Sequence, residues 1–316
     1  MKKIKLFALL PFIAMALTGC NNANSKFNIG ICQLVTHPAL DAATKGFIEA
    51  VEEGLGKNNV TFDRQEAAGD PATCVTIANS FVNKNVDLIL ANATPALQAC
   101  ANSTVKIPIL GTSITEYGVA LSLDNFDGVV GGNISGTSDL APLDEQANMF
   151  GTLLPEAQKI GLLFCSAEPN SLYQVNTVEA ILKDKGLTTE RISFADSNEL
   201  PSVLTAKISS LDALYIPTDN TCADNATAID AICRPEKLPI ICGEENICKA
   251  CGIATLSIDY FNLGKKTGQM AVEILKEGKD ISKMPIAYDE NPVFKFNSEI
   301  CEELNITVPD NYVAIA

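Results

Sequence analysis

The side chains best placed to do chemistry in this chain are polar ones that follow short apolar runs. In the first part these are Gln33, Thr36 and His37; then Thr94; then Thr112, Ser113 and Thr115. Further along they are Glu168, Asn170 and Ser171; Asp219 and Asn220; and Glu244. The first set supplies hydroxyls, an amide and the chain's single histidine; the second supplies carboxylates and amides. That division suits a zwitterion, whose carboxylate takes hydroxyl and N–H donors and whose ammonium pairs with an acid. Some of these residues also have a plainer use. Asp70, Ser138 and Ser171 stand where helix N-caps are expected, and Asp219 is open between capping and ligand contact. His37, just before Pro38, is open between an ordinary loop role and a place in a ligand site.

Signatures of catalysis are missing from the residue pattern. There is no GxSxG, Walker or HExxH spacing, and Gly30, Gly131 and Gly132 do not form GxGxxG. Glu244 and Glu245 are adjacent, which does not place two acids across a reacting bond. Cys248-Lys249-Ala250-Cys251, with Cys242 nearby, has a spacing that fits a single disulfide, a zinc site or a redox pair. A second CxxC is absent, and His37 lies far away in sequence. The other cysteines, such as Cys32, Cys74, Cys165, Cys222 and Cys233, sit in apolar patterns where Cys packs as a small hydrophobe. No cofactor and no metal are expected.

The elements that must hold the polar residues alternate strand and helix, the pattern of α/β folds with parallel sheets covered on both faces. Phe27-Asn28-Ile29-Gly30-Ile31 opens the first strand. After a polar loop, Pro38 begins a helix with Leu40, Ala43, Phe47, Ala50, Val51 and Leu55 near a 3.6-residue period. The same plan returns over 159–186, which suggests two similar lobes with their polar loops facing one another. Strands are expected over 60–66, 86–91, 107–111 and 128–134 in the first lobe, with 112–115 as a loop. In the second lobe they are expected over 159–165, 188–194, 213–217 and 239–242. Helices are expected over 197–209 and 223–233. The segment 253–258 and the helix 261–277 return the chain to the first lobe, and 284–288 and 293–296 close the fold. In parallel sheets of this kind ligands gather beyond the carboxyl ends of strands, where helix N-termini offer free N–H groups.

The first twenty residues have the character of an export signal. Lys2, Lys3 and Lys5 precede an apolar run over 6–17, and Leu17-Thr18-Gly19-Cys20 follows. Residues 1–20 are therefore expected to be a signal peptide ending at a lipidated Cys20, with 21–26 as a polar tether. The protein would then lie outside the cytoplasm, held to the membrane by lipid. The roughly 296 residues after the signal exceed what one core serves. One lobe is expected over 27–135 plus 257–288 and the other over 136–256 plus 289–316. A net charge of −15 without a basic cluster speaks against a nucleic-acid partner.

Several motifs, in order, resemble the ABC transporter substrate-binding proteins that include tryptophan- and tyrosine-type binding lipoproteins. They are Gln33…His37-Pro38-Ala39-Leu40-Asp41…Gly46-Phe47, Ala93-Thr94-Pro95, Gly111-Thr112-Ser113-Ile114-Thr115 and Gly132-Asn133-Ile134-Ser135-Gly136. Glu168-Pro169-Asn170-Ser171, Pro217-Thr218-Asp219-Asn220 and Asp259-Tyr260…Leu263-Gly264 continue the match. The resemblance implies a type I periplasmic-binding fold, with two Rossmann-like lobes, three crossings and a ligand cleft between them. It implies a small ligand, often an aromatic amino acid, delivered to a permease and its ATPase. It places the ligand carboxylate on Thr94 and the 112–115 loop, and the ammonium on Asp219 with Asn220 or Glu244. Glu168, Asn170 and Ser171 would close the cleft. Glu116-Tyr117 stands where relatives often have Asp-Pro, and 244–251 is rich in cysteine for the group. Tyr117, Tyr173 and Phe47 are the candidates for an aromatic wall. Two other readings stay open: an extracytoplasmic redox or metal-handling protein using Cys242, Cys248 and Cys251, and a sensory ligand receptor.

Overall fold

The computed structural model describes residues 26–289 and 291–315. The expected signal peptide, Cys20 and most of the tether lie outside these residues. The first sheet is built from β1 (Phe27–Gln33), α1 (Pro38–Leu55), β2 (Val60–Glu66), α2 (Pro71–Lys84), β3 (Leu88–Asn92), α3 (Thr94–Ser103), β4 (Ile109–Ile114), α4 (Tyr117–Leu121) and β5 (Ile134–Ser138). The second follows with α5 (Leu143–Leu153), β6 (Lys159–Cys165), α6 (Pro169–Asp184), β7 (Thr188–Phe194), α7 (Leu200–Thr205), β8 (Ala213–Ile216), α8 (Asn220–Asp224), α9 (Ala226–Cys233), β9 (Ile240–Cys242), α10 (Glu245–Cys251) and β10 (Ala254–Ser257). The chain returns as α11 (Tyr260–Glu277) and β11 (Ala287–Tyr288), then ends as β12 (Val293–Phe296), α12 (Ser298–Glu303) and β13 (Val313–Ala314).

The strand orders are β11-β5-β4-β3-β1-β2 and β13-β12-β10-β9-β8-β6-β7, so the two lobes repeat one winding. Pairing is parallel throughout the named strands, except for β12 against β10. Parallel strands need helical crossovers, which bury both sheet faces and favour unbroken apolar runs. Ile29, Ile31, Leu88 and Leu90 meet Phe47, Val51 and Met270 on one face of the first sheet; Cys32, Ile89 and Ala91 meet Ile77, Phe81 and Leu97 on the other. The second sheet is covered in the same way, with Phe150 and Val178 on one face and Leu204, Ile229 and Ile247 on the other.

Helices α1 and α11 approach with glycine at the contact. A methyl group at Gly264 would lie 2.0 Å from the Ala43 carbonyl oxygen, and one at Gly46 2.0 Å from that of Phe261. This close seat fixes both helix N-termini, and these carry His37 and Tyr260.

The chain passes between the sheets after Ser138, after Ser257 and after Tyr288. Several expectations are corrected. The apolar-looking run 128–134 is a loop: Gly128, Gly131 and Gly132 have φ of +97°, +80° and +58°, which suits glycine and breaks a strand. The strand is the more polar Ile134–Ser138, buried along its whole length. The first sheet therefore extends past residue 135 to Ser138. Residues Thr112 to Ile114 are part of β4 and not a loop, with a register shift between Gly111 and Ile114. Segment 253–258 does not return to the first lobe, because β10 pairs with β9 and β12 in the second sheet. The helix expected over 223–233 is split at Asn225, and its first part starts at Asn220, directly after Asp219.

Candidate functional site

Between the lobes lies a small cavity of about 10 Å³, room for one water molecule, with many polar residues in its lining. From the first lobe it is lined by His37, Ala39 and Leu40 at the start of α1, and by Ser113 and Thr115 at the end of β4. Asn170, Thr218, Asp219, Asn220, Ala223 and Glu244 line it from the second. Asp139 and Tyr260 come from the crossings. Among the described residues no lysine or arginine lines the cavity.

His37 is the N-cap residue of α1, held extended before Pro38, and its imidazole does not cap the helix. Its Nε2 lies 3.4 Å from Asn220 Oδ1 on the opposite lobe. Ser113 has φ of +56°, a left-handed conformation that costs a residue with a Cβ about 1–2 kcal/mol. The bulge between Gly111 and Ile114 accompanies it. Asp139 donates its N–H to the Ile114 carbonyl oxygen at 3.1 Å, and its Oδ2 accepts from the Tyr260 hydroxyl at 2.9 Å. Burial pushes the Asp139 carboxyl up to about 6, against the opposing effect of the Tyr260 and Thr115 hydroxyls.

Four polar atoms of residues that line this cavity are buried without a hydrogen-bond partner: His37 Nδ1, Ser113 Oγ, Asp139 Oδ1 and Asn170 Oδ1. Burying a polar group unpaired costs about 1–3 kcal/mol, so their convergence marks a place built for a polar ligand.

The remaining acids are satisfied within the protein. Asp219 accepts from the backbone N–H of Cys165 and of Cys222, both at 2.7 Å. Burial and the neighbouring charge of Glu168 push its carboxyl upward. Glu244 caps α10, accepting from the backbone N–H of Asn246 and Ile247, and burial pushes it upward too. Glu168 accepts from the N–H of Asn220 at 3.0 Å and of Thr221 at 2.9 Å, and from their side chains at 2.7 and 2.8 Å.

Of the polar residues singled out from the sequence, the structure brings His37, Ser113, Thr115, Asn170, Asp219, Asn220 and Glu244 to the cavity. Five others do not line it, although Glu168 faces a wider groove beside it. Gln33 joins β1 to α1, donating to Val35 O and Asp41 Oδ1 and accepting from Thr44. Thr94 is the buried first residue of α3. Thr112 accepts from Thr137 Oγ1 at 3.3 Å inside the sheet. Glu168 organises the Asn220–Thr221 turn, and Ser171 accepts from Asn170 at 3.3 Å.

Neither Tyr117, Tyr173 nor Phe47 lines the cavity. Phe47 is core, and Tyr117 donates to Thr137 O and stacks on Phe126. Among the described residues the aromatic rings that line it are those of Tyr260 and His37. Asp139 and Tyr260 were missed because each follows a strand whose end or lobe was misplaced; the same positional rule, applied at Ser138 and Ser257, finds both.

Beside the cavity runs a wider groove between the lobes, about 350 Å³, with Leu34, Val35, Pro71 and Pro95 on one side and Ala167 and Asp196 on the other. Asn220 lines both spaces. The cysteines of the CxxC lie on α10, buried with Cys242, and burial pushes the Cys242 and Cys248 thiols upward, away from the reactive thiolate. Among the described residues no group of three or more His, Cys, Asp or Glu is arranged to hold a metal ion, and no helix is long and apolar enough to cross a membrane.

The model of the family described as ABC transporter substrate binding protein matches residues 28–316. The chain belongs to that family. A tyrosine-binding protein of Clostridioides difficile is 35% identical over 309 residues, covering 92% of this chain and 88% of the relative. Among solved structures, an ABC domain from Streptococcus pneumonia in complex with L-Trp is 32% identical, with a TM-score of 0.87 over 92% of this chain and 100% of that one. The ligand-free, open structure of a substrate-binding protein with adhesive properties from Clostridium difficile is 34% identical, with a TM-score of 0.70 over 92% and 99%. The fold is that of the type I periplasmic-binding proteins. At similar identity this substrate-binding protein superposes better on the complex than on the open form. With the His37–Asn220 contact across the cleft and the small volume between the lobes, this describes lobes that stand closed.

Proposed function

We propose that this substrate-binding protein is the receptor of an ABC importer for an amino acid, with aromatic amino acids favoured. The observation that carries the reading is the set of four unpartnered polar atoms converging in one cleft. They offer what a zwitterion needs: a hydroxyl and an imidazole for a carboxylate, and a carboxylate oxygen and an amide oxygen for an ammonium. The relatives that bind tyrosine and L-Trp support the same class.

The closed cavity is far too small for an amino acid, so entry requires the lobes to part. A bound ligand then holds them slightly further apart than they stand here, and the groove beside the cavity has room for a side chain. Pivoting about three crossings constrains that motion to a bend of defined direction. The motif Leu17-Thr18-Gly19-Cys20 supports a lipid anchor that keeps the receptor outside the cytoplasm beside its permease and ATPase.

The test is titration calorimetry and thermal shift with the twenty amino acids, the nucleosides and simple sugars. Tyrosine or tryptophan should raise the melting temperature by mass action on the ligand-binding form. A panel in which no amino acid binds ends this reading. Labelling of the whole protein in cells by a radioactive fatty acid, lost in Cys20→Ala, tests the anchor.

A further inference from the structure

An amino-acid ligand brings one positive charge into a cleft that holds several acids, and the hydrogen-bond pattern distinguishes between them. Asp219 has one oxygen committed to the Cys165 N–H and the other to that of Cys222. Glu244 spends both oxygens on the start of α10, and Glu168 spends both on the Asn220–Thr221 turn. Asp139, which lines the cavity, alone among them keeps an oxygen, Oδ1, that is buried and unpartnered. Among the described residues no lysine or arginine lines the cavity to meet it.

We propose that Asp139, and not Asp219, is the counter-ion for the ligand's ammonium group, which makes the hinge itself the determinant that selects amines. The proposal rests on the amino-acid reading above. Asp139 is the first residue after β5, on the first crossing between the lobes. Its partner Tyr260 follows the second crossing, and the neighbouring Asp259 N–H donates to Asp289 Oδ2 on the third at 3.1 Å. Two hydrogen bonds thus link the three crossings in succession, the first of them through this carboxylate. A group on the pivot moves little as the lobes open, so its free oxygen stays in place to meet the ammonium before closure. Asp219, by contrast, rides on the second lobe, where its two amide bonds hold β6 to the start of α8.

The experiment compares L-tryptophan with indole-3-propionate, which lacks only the ammonium, and L-tyrosine with 3-(4-hydroxyphenyl)propionate. Calorimetric affinities are measured for the wild type, Asp139→Asn and Asp219→Asn. Losing a buried charge-assisted bond costs roughly 30-fold or more, so the wild type should prefer each amino acid to its deaminated analogue by at least that factor. In Asp139→Asn the preference should fall to within about fivefold, with the analogue's own affinity unchanged or improved. Asp219→Asn should keep the preference, although it weakens the fold by removing an acceptor from backbone amides.

A folded Asp139→Asn that retains the preference overturns the proposal, and so does one that loses both ligands equally, since only the amine should feel the change. Asp139→Ser, read in the same way, covers a failure of the asparagine variant to fold. A wild type that binds no amino acid overturns the receptor reading and this proposal together; a wild type that binds tryptophan with an unchanged Asp139→Asn overturns this proposal alone.

Discussion

Gly264→Ala should lower the melting temperature and weaken ligand binding, although alanine is the better helix former. At this site the added Cβ would lie 2.0 Å from the Ala43 carbonyl oxygen and 2.7 Å from the carbonyl carbon. Ordinary contact distances between such atoms are about 3.5 Å, so α11 must move off α1 by more than an ångström. The obstacle is backbone and not a side chain that could turn aside. Overpacking typically costs 1–3 kcal/mol, and the upper end, about 3 kcal/mol, applies here. Better helix propensity returns about 1 kcal/mol, leaving a net loss of about 2 kcal/mol. For a chain of this size that corresponds to roughly 4–8 °C. Because the two helices carry His37 and Tyr260 at their N-termini, the same shift widens the cleft and should raise the Kd for the ligand. The internal control is Gly151→Ala on α5, where no atom lies within 4 Å of the new methyl; there only propensity acts, and the protein should gain up to about 1 kcal/mol. Scanning calorimetry of the two variants decides the matter. A Gly264→Ala protein that melts at or above the wild-type temperature refutes the close-packing argument.

Three further outcomes are expected. Ser113→Gly should raise the melting temperature by a degree or more, because it relieves a left-handed serine, while lowering ligand affinity through loss of an unpartnered hydroxyl; higher affinity would remove Ser113 from the site. The ligand-free protein should be more stable at pH 5 than at pH 8. With the Asp139 carboxyl raised from near 3.8 to about 6, the folded state holds the proton more tightly than the unfolded chain, so stability falls as pH rises through about 4 to 6 and then levels. Glu244 and Asp219 shift in the same sense. Between pH 5 and 8 Asp139 accounts for about 1–2 kcal/mol, and Asp139→Asn should flatten this part of a melting-temperature profile; a ligand-free protein more stable at pH 8 would contradict the burial of these acids. Finally, all ten cysteines from residue 26 onward are buried. A thiol reagent should find none within minutes in the native protein and ten in guanidinium, whereas rapid reaction at Cys248 or Cys251 would restore the redox reading.

Much of this architecture was legible in the residues because it is local. The apolar run Ile29 to Ile31, Pro38 at a helix start and the 3.6-residue spacing to Leu55 specify a buried strand, a turn and a helix without help from elsewhere. Their recurrence 130 or so residues later announces two lobes, and the rule that polar residues after strands face the ligand named seven residues of the cavity. The misreadings share a cause. Apolar character drew a strand over 128–134, but positive-φ glycines deny it one, and the buried strand proves to be Ile-Ser-Gly-Thr-Ser. With that strand misplaced, Asp139 was not seen to stand at its end. What no local pattern could provide is which acids remain available. Asp219 looks free in the sequence, yet the Cys165 N–H, 54 residues away, occupies one of its oxygens; Glu168 is taken by amides more than 50 residues off. Asp139 keeps an oxygen because the hydroxyl brought to it by the tertiary structure, from Tyr260, 121 residues along the chain, bonds Oδ2, and among the described residues no lysine or arginine lines the cavity to reach Oδ1. Residue types and their order therefore determined a two-lobed receptor with a polar cleft. Only the folded chain decided which carboxylate faces it unpaired, because a hydrogen bond between distant segments is set by where the strands end and not by what precedes or follows each residue.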